Sequence, residues 1–114
     1  MKGPVSADDS NHYFWGEICD GWHLLQRDDL SVIQERVPPG GVEVMHYHQV
    51  ARQFFFILEG QGTMVFENQC VSLKARQGLE IPPGVPHQFR NDTEDDVHFL
   101  VISMPASHGD RVEE

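Results

Sequence analysis

Three histidines and a glutamine are the residues of this chain best placed to do chemistry. His46 and His48 stand two apart in "HYHQVARQFF", Gln53 follows in the same stretch, and His87 comes directly after the rigid turn "IPPGVP". On an extended strand, residues i and i+2 face the same way with Cα atoms ~7 Å apart, so His46 and His48 can grip one ion together. Gln53 shares parity with Phe55 and Ile57 on the next strand, which gives one face a polar head and an apolar wall. His87 shares parity with Phe89 and Asn91, and Pro82, Pro83 and Pro86 restrict its approach. Ligands drawn from three strands need that rigidity, because a metal tolerates little misplacement. Each piece alone is weak: a His-x-His occurs by chance on surface strands, and a histidine after a proline turn ordinarily has no role. Their joint spacing favours one divalent metal ion, and an imidazole-rich set suits Fe, Ni, Zn, Mn or Cu.

Short strands must position these residues. No helical period persists for three turns, whereas short apolar or alternating segments recur between Gly, Pro, Asn and Asp. The pattern predicts strands at 22–25, 30–37, 42–48, 53–58, 62–66, 70–73, 79–81, 87–91 and 97–104. Turns are expected at "PPGG", "EGQG", "ENQ", "PPG" and "NDTEDD". Many short strands at close spacing imply an all-β sandwich or barrel. Residues 1–12 read as a flexible N-terminal arm, 13–106 as the barrel domain, and 107–114 as a polar C-terminal tail. "FFFIL" and "FLVI" are apolar on both faces, which implies that other segments or a second subunit cover them. A homodimer is expected.

At 114 residues, with 39% hydrophobic side chains, the chain suits one domain with one core. A formal charge of −10 and the absence of a basic stripe argue against nucleic acid and against anionic membranes. No apolar run approaches the ~20 residues of a membrane span. "MKGPVSADDS" lacks the apolar core of a signal peptide, so a cytoplasmic location is expected. Cys19 and Cys70 lie far apart and read as reduced, structural residues.

The histidine spacing resembles the cupin superfamily. The first cupin motif is Gly, five residues, His-x-His, four residues, Glu, six residues, Gly, and it lands on Gly40, His46, His48, Gln53 and Gly60. The second lands on Pro82, Gly84, His87 and Asn91. Its first glycine would fall at Arg76, and with Gly78 the nearest glycine, a turn shifted by two residues is expected. The resemblance implies a double-stranded β-helix, a jelly-roll barrel with a metal inside, and makes His46, His48, Gln53 and His87 the ligand set.

Glutamine at the glutamate position changes the expected chemistry. Three imidazoles with a carboxylate leave a divalent ion at a net single positive charge; with an amide both charges remain, favouring an anionic partner. Alternatively, Gln53 hydrogen-bonds a ligand or water. The pocket wall is expected from Val44, Phe55, Ile57, Phe89 and His98, the last at the rim. Glu43, Met45 and Tyr47 should face away from the metal. His12, His23 and His108 receive no role. No general base is evident in the motifs. The resemblance implies a small metalloenzyme, of the dioxygenase or lyase/isomerase type, acting on a small oxygenated or anionic molecule. A non-catalytic module binding a small molecule or sugar is the alternative.

Overall fold

The computed structural model describes residues 3–107 and 109–114. Its strands are β1 (Asn11–Trp15), β2 (Cys19–Gln26), β3 (Ser31–Val37), β4 (His46–His48), β5 (Arg52–Glu59), β6 (Gln61–Val65), β7 (Cys70–Lys74), β8 (Gly78–Ile81), β9 (Gln88–Arg90), β10 (Val97–Met104) and β11 (Arg111–Glu113). One six-stranded sheet runs β1-β2-β3-β10-β5-β8, entirely antiparallel. The facing layer combines β7-β6-β9 with β11-β4, joined through the bridges Val42↔Arg90 and His46↔His87. Two antiparallel layers closing on one core make the all-β barrel expected from the strand pattern, in the double-stranded form that the cupin resemblance implies.

The alternation of each strand decides which side chains enter. On β5, Gln53, Phe55 and Ile57 are buried; on β10, Val97, Phe99, Val101 and Ser103 are. Their partners by register stand in rows across the sheet: Ile33↔Val101↔Phe55, and Ser103↔Gln53↔Ile81. Phe89 and Phe99 meet with ring centroids 4.4 Å apart at the centre of the core. Gly62 makes room for this packing, since a Cβ there would sit 2.1 Å from Phe89 Cζ. Burying a phenylalanine contributes roughly 1.5–3 kcal/mol, so this cluster is the main anchor of the barrel beneath the polar end. The outer faces of β5 and β10 are only partly covered, with Phe54 40% and Met104 59% exposed.

The structure departs from the expectations at the ends and at one turn. Asn11 and His12 belong to β1, so the arm is shorter than residues 1–12. The polar tail is ordered against the barrel: Arg111↔His48 and Glu113↔His46 pair β11 with β4. The Asp110 carboxylate accepts hydrogen bonds from the backbone N–H groups of Gln49, Val50 and Ala51. Neither segment carries a hydrophobic alternation, so its sequence reads as a flexible arm at one end and a polar tail at the other. The second turn is not shifted, because Arg76 itself adopts the left-handed conformation, with φ +71°. A non-glycine residue there costs roughly 1–2 kcal/mol. Cys19 is a buried core residue, whereas Cys70 is exposed on β7, so a structural reading fits only the former. Among the described residues, no helix is long and apolar enough to cross a membrane. His108 lies outside the described residues.

Candidate metal centre

β4 is only three residues long, but it is held from both sides. The His46 N–H donates to His87 O at 3.0 Å and the His87 N–H to His46 O at 2.8 Å. Gly84 N–H donates to His48 O at 2.7 Å, which ties the proline-rich turn to the same strand. The ring centroids of His46 and His87 are therefore 4.4 Å apart, and those of His46 and His48 5.1 Å. One ring nitrogen of each of His46, His48 and His87 lies within 4.8 Å of the others, and all three side chains are buried.

Hydrogen bonds fix the tautomers of two of these rings. His46 Nδ1 donates to Val44 O at 2.7 Å, and His87 Nδ1 to Val85 O at 2.9 Å. The Nε2 of each is then a bare lone pair, the arrangement by which second partners orient metal-ligating histidines. Among the described residues, His87 Nε2 and His48 Nδ1 are buried without a hydrogen-bond partner. Burial, with some repulsion from neighbouring cationic forms, drives His46 down to about 3 and His48 to about 4. Burial likewise lowers His87. Three neutral imidazoles at neutral pH, with orphaned nitrogens, fit a divalent cation: a buried polar atom left unpaired is costly, and a metal satisfies it.

Gln53 enters from the opposite sheet. Its Nε2 donates to Ser103 Oγ at 3.0 Å, across the register pair Gln53↔Ser103. That bond fixes the amide, and among the described residues Oε1 is buried without a hydrogen-bond partner. Ser103, fully buried, escaped the sequence reading, although a hydroxyl among the inward residues of β10 was the available signal. Gln53, His46, His48 and Phe55 line one cavity of about 310 Å³.

The rest of that cavity differs from the expected wall. Phe55 lines it, but the Val44 side chain is 51% exposed, because residues 42–45 do not form a continuous strand and lose its parity. Ile57 and Phe89 are fully buried in the core rather than in the cavity lining. His98, half-buried opposite Arg36 and Glu59, does not line it either. The same break in parity turns Glu43 inward, contrary to expectation. Its Oε1 accepts from the Phe89 N–H at 3.3 Å and lies 4.0 Å from His46 Nδ1. Tyr13, His23, Glu35 and Arg111 also line it, so His23, to which the sequence assigns no role, faces the cavity. His12 pairs instead with Asp20 at 2.8 Å. Burial raises Glu35 to about 7 and Glu43 to about 8, the latter helped by Glu35, while Arg111 works against both shifts. The cavity thus holds two carboxyl groups whose surroundings favour the protonated form over that of an ordinary carboxyl.

The cupin-domain family Cupin_2 matches residues 33–103. The chain is 32% identical over 81 residues to the uncharacterized protein MJ1618 of Methanocaldococcus jannaschii, a match spanning 70% of this chain and 65% of that protein. It is 34% identical over 62 residues to a quercetin 2,3-dioxygenase of Bacillus subtilis, covering 54% of this chain and 18% of the enzyme. The matches thus span less than two thirds of these relatives' lengths. In structure it is similar to the polyketide cyclase RemF of Streptomyces resistomycificus, with a TM-score of 0.87 and 19% identity over 99% of this chain and 85% of that one. At that identity the likeness concerns the fold.

Proposed function

The chain belongs to the cupin family, and on that premise we propose that it is a small metal-dependent enzyme acting on a small oxygenated or anionic molecule. The observation that carries this is the triad of buried, neutral histidines with two Nδ1–H groups tied to carbonyls. His46, His48, His87 and the Gln53 oxygen would hold one divalent ion of the Fe, Ni, Zn, Mn or Cu group. That ion would supply Lewis acidity toward a substrate oxygen and, with a redox-active metal, electron transfer.

The protein's own groups do the rest. Ser103 aims the Gln53 amide. Because that amide is neutral, the site keeps its positive charge for an anionic substrate. Ile33, Phe55 and Val101 give the cavity an apolar side that limits water. Glu35 and Glu43 can hold or release a proton near pH 7. The proton-handling carboxyls favour the lyase/isomerase type, in keeping with the fold shared with a polyketide cyclase. The dioxygenase type draws on the likeness to quercetin 2,3-dioxygenase. We also infer a homodimer through the exposed Phe54 and Met104 face; a monomer mass by light scattering would count against it.

Metal analysis of chain purified without a histidine tag tests the reading. One ion per chain is expected in the native protein, and none in His48→Ala, with the β-type circular dichroism retained. Stoichiometric metal in that variant, or none in the native chain, would overturn it.

A further inference from the structure

We propose that Glu35 is the residue that moves the substrate's proton, and that Tyr13 positions it by reaching across Gly21; this rests on the metal-dependent reading above. Tyr13, Gly21 and Glu35 form one row over three neighbouring strands, through the register pairs Tyr13↔Gly21 and Gly21↔Glu35. The outer two strands of such a row are roughly 10 Å apart, and a side chain on the middle strand would ordinarily stand between them. Here there is none. A Cβ on Gly21 would fall 2.6 Å from the Tyr13 hydroxyl oxygen and 2.7 Å from Cζ. The phenol therefore lies over β2 in space that only glycine leaves open, and donates to Glu35 Oε2 at 2.7 Å.

This arrangement faces the histidines. Tyr13 and Glu35 line the same cavity as His46, His48 and Gln53. Among the described residues, Glu35 Oε1 takes part in no hydrogen bond, so one carboxyl oxygen is held and the other is free. As a purely structural pair it would be expensive. Removing a carboxyl from water costs stability, and the nearest cation in the cavity, Arg111, approaches Glu43 instead, at 4.0 Å. A carboxyl kept in a cleft at such cost marks a working group. Burial raises Glu35 to about 7, which lets it serve as base and then as acid at neutral pH. Burial and Glu35 together hold the Tyr13 phenol protonated, so it remains a donor throughout.

The substrate class that follows is a small anionic molecule with a C–H beside a carbonyl. Glu35 Oε1, as carboxylate, takes that proton. The C–H electron pair becomes the C=C bond of an enolate, and the carbonyl π pair moves to oxygen. Glu35, now a carboxylic acid, returns a proton to the same carbon, and the carbonyl re-forms as the enolate electrons move back. The net result is hydrogen exchange at that carbon, with no oxidant consumed.

The probe is 2-oxobutanoate in D2O with zinc-loaded protein, following the C3 hydrogens by proton NMR. Native protein is expected to exchange them roughly 10²–10⁴ times faster than Glu35→Gln, the range of general acid–base catalysis, at equal zinc content. A second readout uses metal-free protein: the Glu35 carboxyl carbon, followed by carbon-13 NMR, should titrate near 7. In Tyr13→Phe the midpoint should move up, because the phenol hydrogen bond favours the carboxylate. Tyr13, Cys19, Glu43 and Arg111 are the titratable and charged groups coupled to Glu35. Glu43 is the one that also titrates near neutrality, so the measurement is repeated in Glu43→Gln. If Glu35→Gln does not fold, Tyr13→Phe carries the test through the pH at which exchange sets in, which should rise with the same midpoint. Equal exchange in Glu35→Gln and native protein, no exchange by zinc-loaded native protein, or a Glu35 midpoint in the ordinary carboxyl range would each overturn the proposal. Native protein that takes up no zinc would overturn the underlying metal reading as well, and zinc content separates the two failures.

Discussion

Replacing Ser103 with alanine removes a single oxygen and should expose how the site is built. Ser103 is fully buried and Gln53 6% exposed, and the two are joined by one 3.0 Å hydrogen bond. Without it the Gln53 amide keeps a buried N–H group lacking an acceptor, which costs roughly 1–3 kcal/mol. In a domain near this size each kcal/mol lowers Tm by roughly 4–8 °C, so the metal-free variant should melt clearly below the native chain. A second effect appears only with metal. The Ser103 bond is what turns Oε1 inward, and loss of such an outer partner typically weakens metal binding about 10–100-fold. That range is about 1.4–2.8 kcal/mol, so holo protein should lose more stability than apo protein. Thermal melts with and without zinc, together with chelator competition, measure both effects. An unchanged apo Tm with zinc affinity within twofold of native would refute the reasoning.

Two further predictions bear on the charge of the site. Gln53→Glu should bind zinc at least about tenfold more tightly by chelator competition, since one opposite charge replaces a neutral ligand, worth about 1.4 kcal/mol or more. The same change should lower exchange of the 2-oxobutanoate probe. In metal-free protein, stability should peak between about pH 4.5 and 6.5, as read by denaturant melts across pH. His46 and His48 are depressed from 6.5 to about 3 and 4 in the fold, so the unfolded chain takes up protons as pH falls below 6.5 and stability declines toward acid. Glu35 and Glu43 are raised from 4.5 to about 7 and 8, so their contribution is whole below 4.5 and is lost as pH rises through those values. A stability maximum above pH 8 would contradict this balance.

What the sequence discloses here follows what its local periods encode. Alternation on β5 and β10 announces the barrel, and spacing relative to two glycines and a proline turn singles out His46, His48, Gln53 and His87. The second half of the cavity is not written in any period. Glu43 turns inward because the chain before β4 is not a regular strand, so parity counted back from His46 fails. Tyr13 reaches Glu35 only through a cross-strand gap at Gly21, a relation between residues far apart in sequence. β11 pairs with β4 through backbone bonds, and the neighbouring Asp110 carboxylate holds the 49–51 backbone, neither of which leaves an apolar trace. Arg76 shows the opposite case: the left-handed turn persists although its usual glycine is gone.

The central claim is that one divalent ion sits among three histidines and the Gln53 oxygen. A crystal structure of the zinc-loaded chain, with anomalous scattering recorded on either side of the zinc edge, tests it most directly. One strong peak is expected about 2.0–2.2 Å from ring nitrogens of His46, His48 and His87, with Gln53 Oε1 completing the sphere at a similar distance. A peak elsewhere, no peak, or a Gln53 oxygen beyond about 3 Å from the ion would contradict it.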